Sequence, residues 1–160
     1  MRLALVQARL ALKRQEVPIG AVLLLDSGEW FAGFNQPIDR QEVTAHAEIL
    51  VLNAACHFQR NYRLPHSTLF VTLEPCLMCL GAIQLARVRR VVYAASSPRF
   101  GALNALSSWP EVYGHKIYHL IDNLILQEEA AALLRNFFLE RRQEREQLAR
   151  EETKQANSVL

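Results

Sequence analysis

The residues most able to do chemistry in this sequence lie in two short segments, TAHAEIL and TLEPCLMCLGAI. The first segment carries His46 and Glu48, and the second carries Cys76 and Cys79. One imidazole and two thiols form a ligand set that suits zinc. Two thiols at C-x-x-C spacing also occur in redox pairs and in structural zinc knuckles, so the rest of the sequence has to distinguish three kinds of site.

A structural zinc site requires a fourth protein ligand, and the only other cysteine is Cys56. If residues 45–56 form one helix, the rise of about 1.5 Å per residue places Cys56 about 15 Å from His46 along the axis. One ion cannot bind both side chains, and Cys56 is better explained as a small core residue. Three protein ligands leave the fourth zinc position open, which is typical of a catalytic site.

Glu48 supplies the remaining group that a hydrolytic zinc site needs. It stands two residues after His46, near a predicted helix start, where its carboxylate can act as a general base and return the proton to a substrate. A thiol–disulfide pair has no use for His46 or Glu48, which argues against the redox interpretation. The thiols are predicted at a helix N-terminus, where exposed N–H groups stabilise thiolates.

The elements that must position these residues alternate between strand and helix patterns, which predicts an α/β domain. Strands are predicted for GAVLLL, WFAGFN, STLFVTL, RVVYAA and KIYHLI, and the turn-forming DSGE joins the first two as a β-hairpin. The segment PCLMCLGAIQLARV is predicted as a helix with Pro75 in its first turn. It lies between two strands, which predicts a right-handed crossover and a parallel pair.

Three further segments complete the predicted order of elements. The N-terminal MRLALVQARLALKRQ is typical of an amphipathic core helix, and a second helix starting at Ala45 is predicted to bury Ala45, Ile49, Leu52 and Cys56. The segment SSPRFGALNALSSWPEVYG is predicted to be a long surface loop with a short helix. Residues 127 to about 150 are predicted to form a long terminal helix, apolar at first and then charged.

Composition limits the function classes. A chain of 160 residues that is 51% hydrophobic holds one globular domain, which we place at residues 1–150, followed by a charged and polar tail at 151–160. The formal charge of +2 permits a polyanionic partner without requiring one. No apolar run approaches the roughly 20 residues that cross a bilayer, and an odd number of cysteines argues against a secreted disulfide framework. We therefore expect a cytoplasmic protein without membrane contact.

H-x-E followed at a distance by P-C-x-x-C resembles the signature of zinc-dependent nucleobase deaminases. From Met1 to about Glu146, the sequence is also similar to the bacterial tRNA-specific adenosine deaminases, in EVPIGAVLL, GFNQPI, NYRLPHSTLFVTLEPCLMC and EEAAALLRNFFLERRQE. This resemblance implies a three-layer α/β/α fold of the cytidine-deaminase type, with a mixed sheet of about five strands and helices on both faces. It also implies one Zn²⁺ per subunit, a homodimer, and hydrolytic conversion of adenosine to inosine at the wobble position of a tRNA anticodon stem-loop.

Carried over to this sequence, the resemblance makes His46, Cys76 and Cys79 the zinc ligands and Glu48 the catalytic proton shuttle. The substrate-binding residues that it implies are Asn35, Ala47, Pro75, Ser97, Arg99, Phe138, Arg141 and Arg142. From the residues alone, Phe138 is equally well explained as a core residue, and the two arginines at 141 and 142 as a solvated charged face.

Two positions depart from the pattern of the family. Ser97 stands where many relatives carry an acidic residue that contacts RNA, and Leu139 stands where relatives often have a basic residue. These departures leave open a second hypothesis, a deaminase of a free nucleobase or nucleoside of the guanine or cytosine type. A third hypothesis is a zinc-stabilised RNA-binding protein without catalysis, against which the intact Glu48 argues.

Overall fold

Five strands form one mixed sheet in the computed structural model, which describes residues 1–102, 119–122 and 126–157. The strands are β1 (Gly20–Leu25), β2 (Trp30–Phe34), β3 (Ser67–Leu73), β4 (Arg90–Ala95) and β5 (His119–Asp122). Their order across the sheet is β2-β1-β3-β4-β5. β1 pairs antiparallel with β2 and β3, whereas β4 pairs parallel with β3 and β5. The mixed sheet of the predicted fold class is confirmed.

Helices cover both faces of this sheet. They are α1 (Arg2–Lys13), α2 (Pro37–Arg40), α3 (Ala47–Gln59), α4 (Leu77–Leu85) and α5 (Gln127–Asn157). Successive side chains of a strand point to opposite faces, and β3 and β4 contribute in this way to two apolar clusters. The larger cluster packs α3 and α4 against one face, and the smaller packs α1 and α5 against the other. The predicted three-layer architecture is therefore confirmed.

The helix that carries His46 and Glu48 differs from its prediction in start and in orientation. α3 begins at Ala47, with His46 as its N-cap, and not at Ala45. The predicted buried stripe is confirmed only in part: Ala45 and Leu52 are buried, whereas Ile49 and Cys56 are only partly buried and Ala47, Val51 and Ala55 also lie in the core. Alanine and valine side chains occupy the buried face because α3 packs closely on β2. A Cβ added at Gly33 of β2 would lie 3.2 Å from Val51 Cγ1.

The segment before α4 is extended and not helical. α4 begins at Leu77 with Cys76 as its N-cap, so the prediction that Pro75 lies in its first turn was wrong. The physical reason is a strand-like contact, in which Cys76 forms a β-bridge with Gly101 and the carbonyl of Pro75 accepts a hydrogen bond from Ala102 N at 3.1 Å. The cysteine is thereby held at the edge of the sheet.

The C-terminal part of the chain is described in two pieces. β5 overlaps the end of the predicted strand KIYHLI, and most of the predicted loop after β4 lies outside the described residues. α5 continues to Asn157, seven residues beyond its predicted end near Arg150, and the division of the chain at residue 150 stays a prediction. No helix in the described ranges is long and apolar enough to cross a bilayer.

Gly20→Ala is expected to destabilise the protein, because α1 lies directly on β1 at this position. An added Cβ would overlap the backbone oxygen of Ala4 and lie 2.5 Å from Ala8 N, and neither backbone atom moves without shifting the helix. We expect the free energy of unfolding to fall by about 1–3 kcal/mol.

Gly33→Ala is the matched control, because its new Cβ would come no closer than 3.2 Å to any atom beyond the neighbouring residues, namely Val51 Cγ1, and would lie 3.7 Å from the nearest backbone atom, Ala47 O. Its cost should stay below about 1 kcal/mol. Denaturant unfolding of both variants measures the difference, and equal stabilities would contradict the close packing of α1 on β1.

Candidate metal centre

Three side chains that can bind a metal converge where two helices begin. His46 Nδ1 lies 3.7 Å from Cys76 Sγ and 3.5 Å from Cys79 Sγ, and the three donor atoms all lie within 4.8 Å of one another. His46 caps the N-terminus of α3, Cys76 caps that of α4, and Cys79 lies in the first turn of α4. The structure thus brings together the three ligands predicted from the sequence.

The spacing of these donors fits a tetrahedral zinc ion. Zn–S and Zn–N bonds of about 2.3 and 2.05 Å at tetrahedral angles place sulfur and nitrogen about 3.6 Å apart, close to both observed separations. Among the described residues, no fourth His, Cys, Asp or Glu joins the group. Cys56 lies elsewhere, with its thiol donating to the carbonyl of Tyr62 at 3.5 Å. Three ligands and an open position match the donor set of a catalytic zinc site.

The two thiols are electrostatically unequal. A hydrogen bond from Cys79, together with one from His46, lowers the pKa of Cys76 to about 4. The same contact with Cys76, helped by burial, raises the pKa of Cys79. The hydrogen bond with Cys76 also raises the pKa of His46. The pair therefore holds a thiolate at neutral pH, and the thiolate is the form that binds zinc.

Glu48 lies beside this cluster, in the first turn of α3. Its side chain is buried, and its Oε2 has no hydrogen-bond partner within the described part of the chain. Burial raises the pKa of the carboxyl group, because the charged form is poorly solvated there. A buried carboxyl with an unused oxygen next to three metal donors is suited to accept and return a proton.

The donor cluster opens into a cleft of about 1030 Å³ at the edge of the sheet where β3 and β4 end. His46, Glu48 and Cys76 line it together with six of the predicted substrate-binding residues, namely Asn35, Ser97, Arg99, Phe138, Arg141 and Arg142. The other two, Ala47 and Pro75, are buried and do not contribute to the lining. The basic and aromatic residues therefore line the same continuous cleft as the metal donors and Glu48.

Asn35 fixes the start of α3. Its Oδ1 accepts a hydrogen bond from Ala47 N at 2.9 Å, and its backbone N donates to Ile19 O at 3.0 Å. The backbone N–H of Ala47 is therefore already hydrogen-bonded within the protein. Because the carboxamide oxygen is occupied, the amide NH₂ group is what Asn35 can offer to a molecule in the cleft.

The aromatic pair in α5 resolves an ambiguity of the sequence. Phe137 is 6% exposed and belongs to the core, whereas Phe138 is 46% exposed and lines the cleft.

Arg141 is held by the protein itself, since it donates to Gln15 O at 3.1 Å and to Glu144 at 3.0 Å. Its guanidinium is therefore less available to a ligand than an unrestrained surface arginine.

Among the cleft-lining residues that the sequence did not predict, three carry charged or aromatic side chains: Glu74, Phe100 and Arg145. Glu74 accepts a hydrogen bond from Ser97 N at 2.8 Å, and Phe100 is 68% exposed with the guanidinium of Arg99 5.4 Å from its ring centre. An aromatic residue beside an arginine in a Ser- and Pro-rich turn was the available signal for Phe100. No signal in the sequence pointed to Glu74, because its contact with Ser97 joins two loops that are far apart in sequence.

Residues 1–95 match the family model of the cytidine and deoxycytidylate deaminase zinc-binding region. Over 145 residues the chain is 43% identical to a tRNA-specific adenosine deaminase of Agrobacterium fabrum, which covers 89% of this chain and 93% of the relative. It is 37% identical over 147 residues to a tRNA-specific adenosine deaminase of Bacillus subtilis, covering 91% of this chain and 90% of the relative.

Solved structures agree with this relationship. A structure from a study of A-to-I editing by tRNA:A34 deaminases at the wobble position superposes with a TM-score of 0.77 and 44% identity, covering 84% of this chain and 97% of that one. A guanine deaminase from Nitrosomonas europaea gives a TM-score of 0.67 and 27% identity, covering 84% of this chain and 80% of that one. This chain therefore belongs to the tRNA-specific adenosine deaminases, within the zinc-binding cytidine and deoxycytidylate deaminase family.

Proposed function

We propose that this protein hydrolytically deaminates adenosine to inosine at the wobble position of a tRNA anticodon. The observation that carries the proposal is the buried Glu48 carboxyl, whose Oε2 is unpartnered among the described residues, beside His46, Cys76 and Cys79 in a cleft of about 1030 Å³. The relatives named above, both tRNA-specific adenosine deaminases, support the choice of substrate.

His46, Cys76 and Cys79 hold the zinc, which when bound activates a water molecule toward attack on carbon. Glu48 takes a proton from the attacking water and delivers it to adenine N1, next to the C6 atom that gains oxygen. The same carboxylate then takes the proton of the hydroxyl newly bound to C6 and gives it to the amino group as the C6–N6 bond breaks, so that the C6 carbonyl forms and ammonia leaves. The raised pKa of Glu48 suits this cycle, because the carboxyl has to hold a proton between each uptake and the delivery that follows it.

The rim of the cleft supports a nucleic-acid substrate. Arg99 and Arg142 are exposed and suited to phosphates, and Phe100 and Phe138 expose rings on which unpaired bases can stack. A nucleotide in an anticodon loop is already partly unstacked, so bringing it into the cleft costs less than extracting a paired base. We propose that Asn35 donates from its amide to that nucleotide.

The alternative of a free nucleobase, such as guanine, is favoured by the structural similarity to a guanine deaminase and by the uncharged Ser97. The hydroxyl of Ser97 accepts a hydrogen bond from Phe100 N at 3.4 Å, so it is used within its own turn. An acidic contact to RNA at this position is absent, and affinity then depends on the neighbouring basic and aromatic residues.

A direct substrate comparison tests the proposal. Zinc-loaded protein is incubated with a synthetic anticodon stem-loop that carries adenosine at the wobble position, and separately with adenosine, guanine and cytosine. We expect inosine from the stem-loop and at least about 10³-fold slower conversion of the free compounds, since they gain no binding energy from the rim. Conversion of a free base with the stem-loop left unchanged would move the protein to the alternative function.

Glu48→Gln should abolish deamination while leaving the metal bound. The amide keeps the size of the side chain but cannot take the proton, so kcat should fall by about 10²–10⁴-fold. Glu29→Gln, at the hairpin turn away from the cleft, is the matched control. Zinc analysis and kinetics of both variants separate the roles, and a Glu48→Gln enzyme with near-normal kcat would refute the assignment of Glu48.

We further propose that the protein is a homodimer in the cytoplasm, with the outer face of α4 in the interface. Apart from Gln84, α4 consists of apolar residues, which is typical of a buried helix, yet Leu77 and Leu85 are 55% and 70% exposed. A Cβ added at Gly81 would meet no atom within 4 Å, so this face is open within one subunit. A second copy is the proposed cover.

Leu85→Glu should convert the dimer to a monomer, because a charge buried without a partner in an apolar interface is costly. Leu148→Glu, an exposed leucine of α5 that is 59% accessible, serves as the control and should leave the mass unchanged. Analytical ultracentrifugation at micromolar concentration measures both. A dimer of normal strength in Leu85→Glu would place the interface elsewhere.

A further inference from the structure

One polar contact connects the loop that carries a metal ligand to the rim of the cleft. Glu74 follows β3 and stands two residues before Cys76, and its Oε2 accepts a hydrogen bond from Ser97 N at 2.8 Å. Ser97 begins the rim segment, which we define as residues 97–100. This segment carries Arg99 to the mouth of the cleft.

The rim segment is a closed turn that is anchored through its first residue. Gly101 N donates to Ser97 O at 2.7 Å, and Phe100 N donates to the hydroxyl of Ser97 at 3.4 Å. Arg99 and Phe100 are both exposed, with the guanidinium 5.4 Å from the ring centre, so their positions follow the orientation of the turn. At its first residue the turn is held by Glu74, whose carboxylate accepts the N–H of Ser97.

Gly101 shows how closely Glu74 is packed against this turn. A Cβ added at Gly101 would overlap all three heavy atoms of the Glu74 carboxyl group. The absence of a side chain at this position is what lets the carboxyl lie between the two loops. The β-bridge between Gly101 and Cys76 then fixes the far end of the turn to the same loop.

We propose that Glu74 is a positioning residue that holds the rim segment at the cleft and thereby sets the affinity for the nucleic-acid substrate. The proposal rests on the proposed function. Glu74 acts through Ser97 on Arg99 and Phe100, so its loss should weaken substrate binding and leave the proton transfer at Glu48 intact. A residue that only supported the metal loop would instead lower zinc content and kcat together.

Limited trypsin digestion of the zinc-loaded protein tests the contact without any substrate, because Arg99 is an exposed cleavage site in the rim segment. Glu74→Ala removes the acceptor, and cleavage after Arg99 should accelerate about tenfold, as expected for a hydrogen bond to a charged group. Glu74→Gln keeps an acceptor oxygen and should remain near the wild-type rate. Asp26→Ala, which removes an exposed acid paired with Arg89 at the opposite edge of the sheet, is the control.

A double-mutant cycle tests whether Glu74 and Gly101 act on each other. Gly101→Ala alone should displace the carboxyl and accelerate cleavage as Glu74→Ala does. In the Glu74→Ala background it should add less than about twofold, because the space is already vacated. Additive effects of the two substitutions would overturn the proposed contact.

Kinetics with the anticodon stem-loop give the functional readout. Glu74→Ala should raise KM about tenfold, with kcat and zinc content within about twofold of wild type. Wild-type KM in Glu74→Ala, or a joint loss of zinc and kcat, would overturn the positioning role. If the wild-type protein leaves the stem-loop unconverted, the proposed function fails and the affinity claim with it, whereas the trypsin arm still tests the contact.

Discussion

A carboxyl group buried beside metal donors is the constraint on which the rest of the site depends. Glu48 is 4% exposed, and its Oε2 has no partner in the part of the chain that the structure describes. Leaving a buried carboxyl oxygen without a partner is costly unless the surroundings give the group a proton or a positive charge. A metal cation held by the donor atoms of His46, Cys76 and Cys79 would supply that positive charge. The energetic cost of burying Glu48 and the affinity of the site for zinc are thus linked, because a bound cation would offset that cost.

The fold separates the metal donors and Glu48 from the residues that we propose to recognise substrate. The first group is fixed by hydrogen bonds to the backbone, since the Asn35 side chain accepts from Ala47 N at the start of α3 and the bridge to Gly101 holds the segment before α4. The second group lies on the exposed turn after β4 and on α5, where arginine and phenylalanine side chains reach the cleft. On this proposal, substitutions in the second group are expected to change substrate binding while leaving the proton transfer at Glu48 intact.

Sequence patterns predicted the strands and the metal donors well, because both depend on local signals. β1, β3 and β4 have the predicted bounds, since apolar and β-branched runs end at clear turn residues. The buried face of α3 was predicted only in part, because the orientation of the helix depends on a close approach to Gly33 that periodicity does not show. The distinction between Phe137 and Phe138 depends on how α5 docks. Likewise, the contact between Glu74 and Ser97 joins residues 23 positions apart and leaves no local pattern.

Zinc K-edge X-ray absorption tests the central claim most directly, namely that three protein ligands form the site and leave one position open. The wild-type protein should show two sulfur scatterers at about 2.3 Å per zinc, with lighter atoms completing the shell. Cys56→Ser should give the same spectrum, because Cys56 lies outside the donor cluster. Three sulfur scatterers in the wild type, or the loss of one in Cys56→Ser, would mean a closed structural site and would contradict the account.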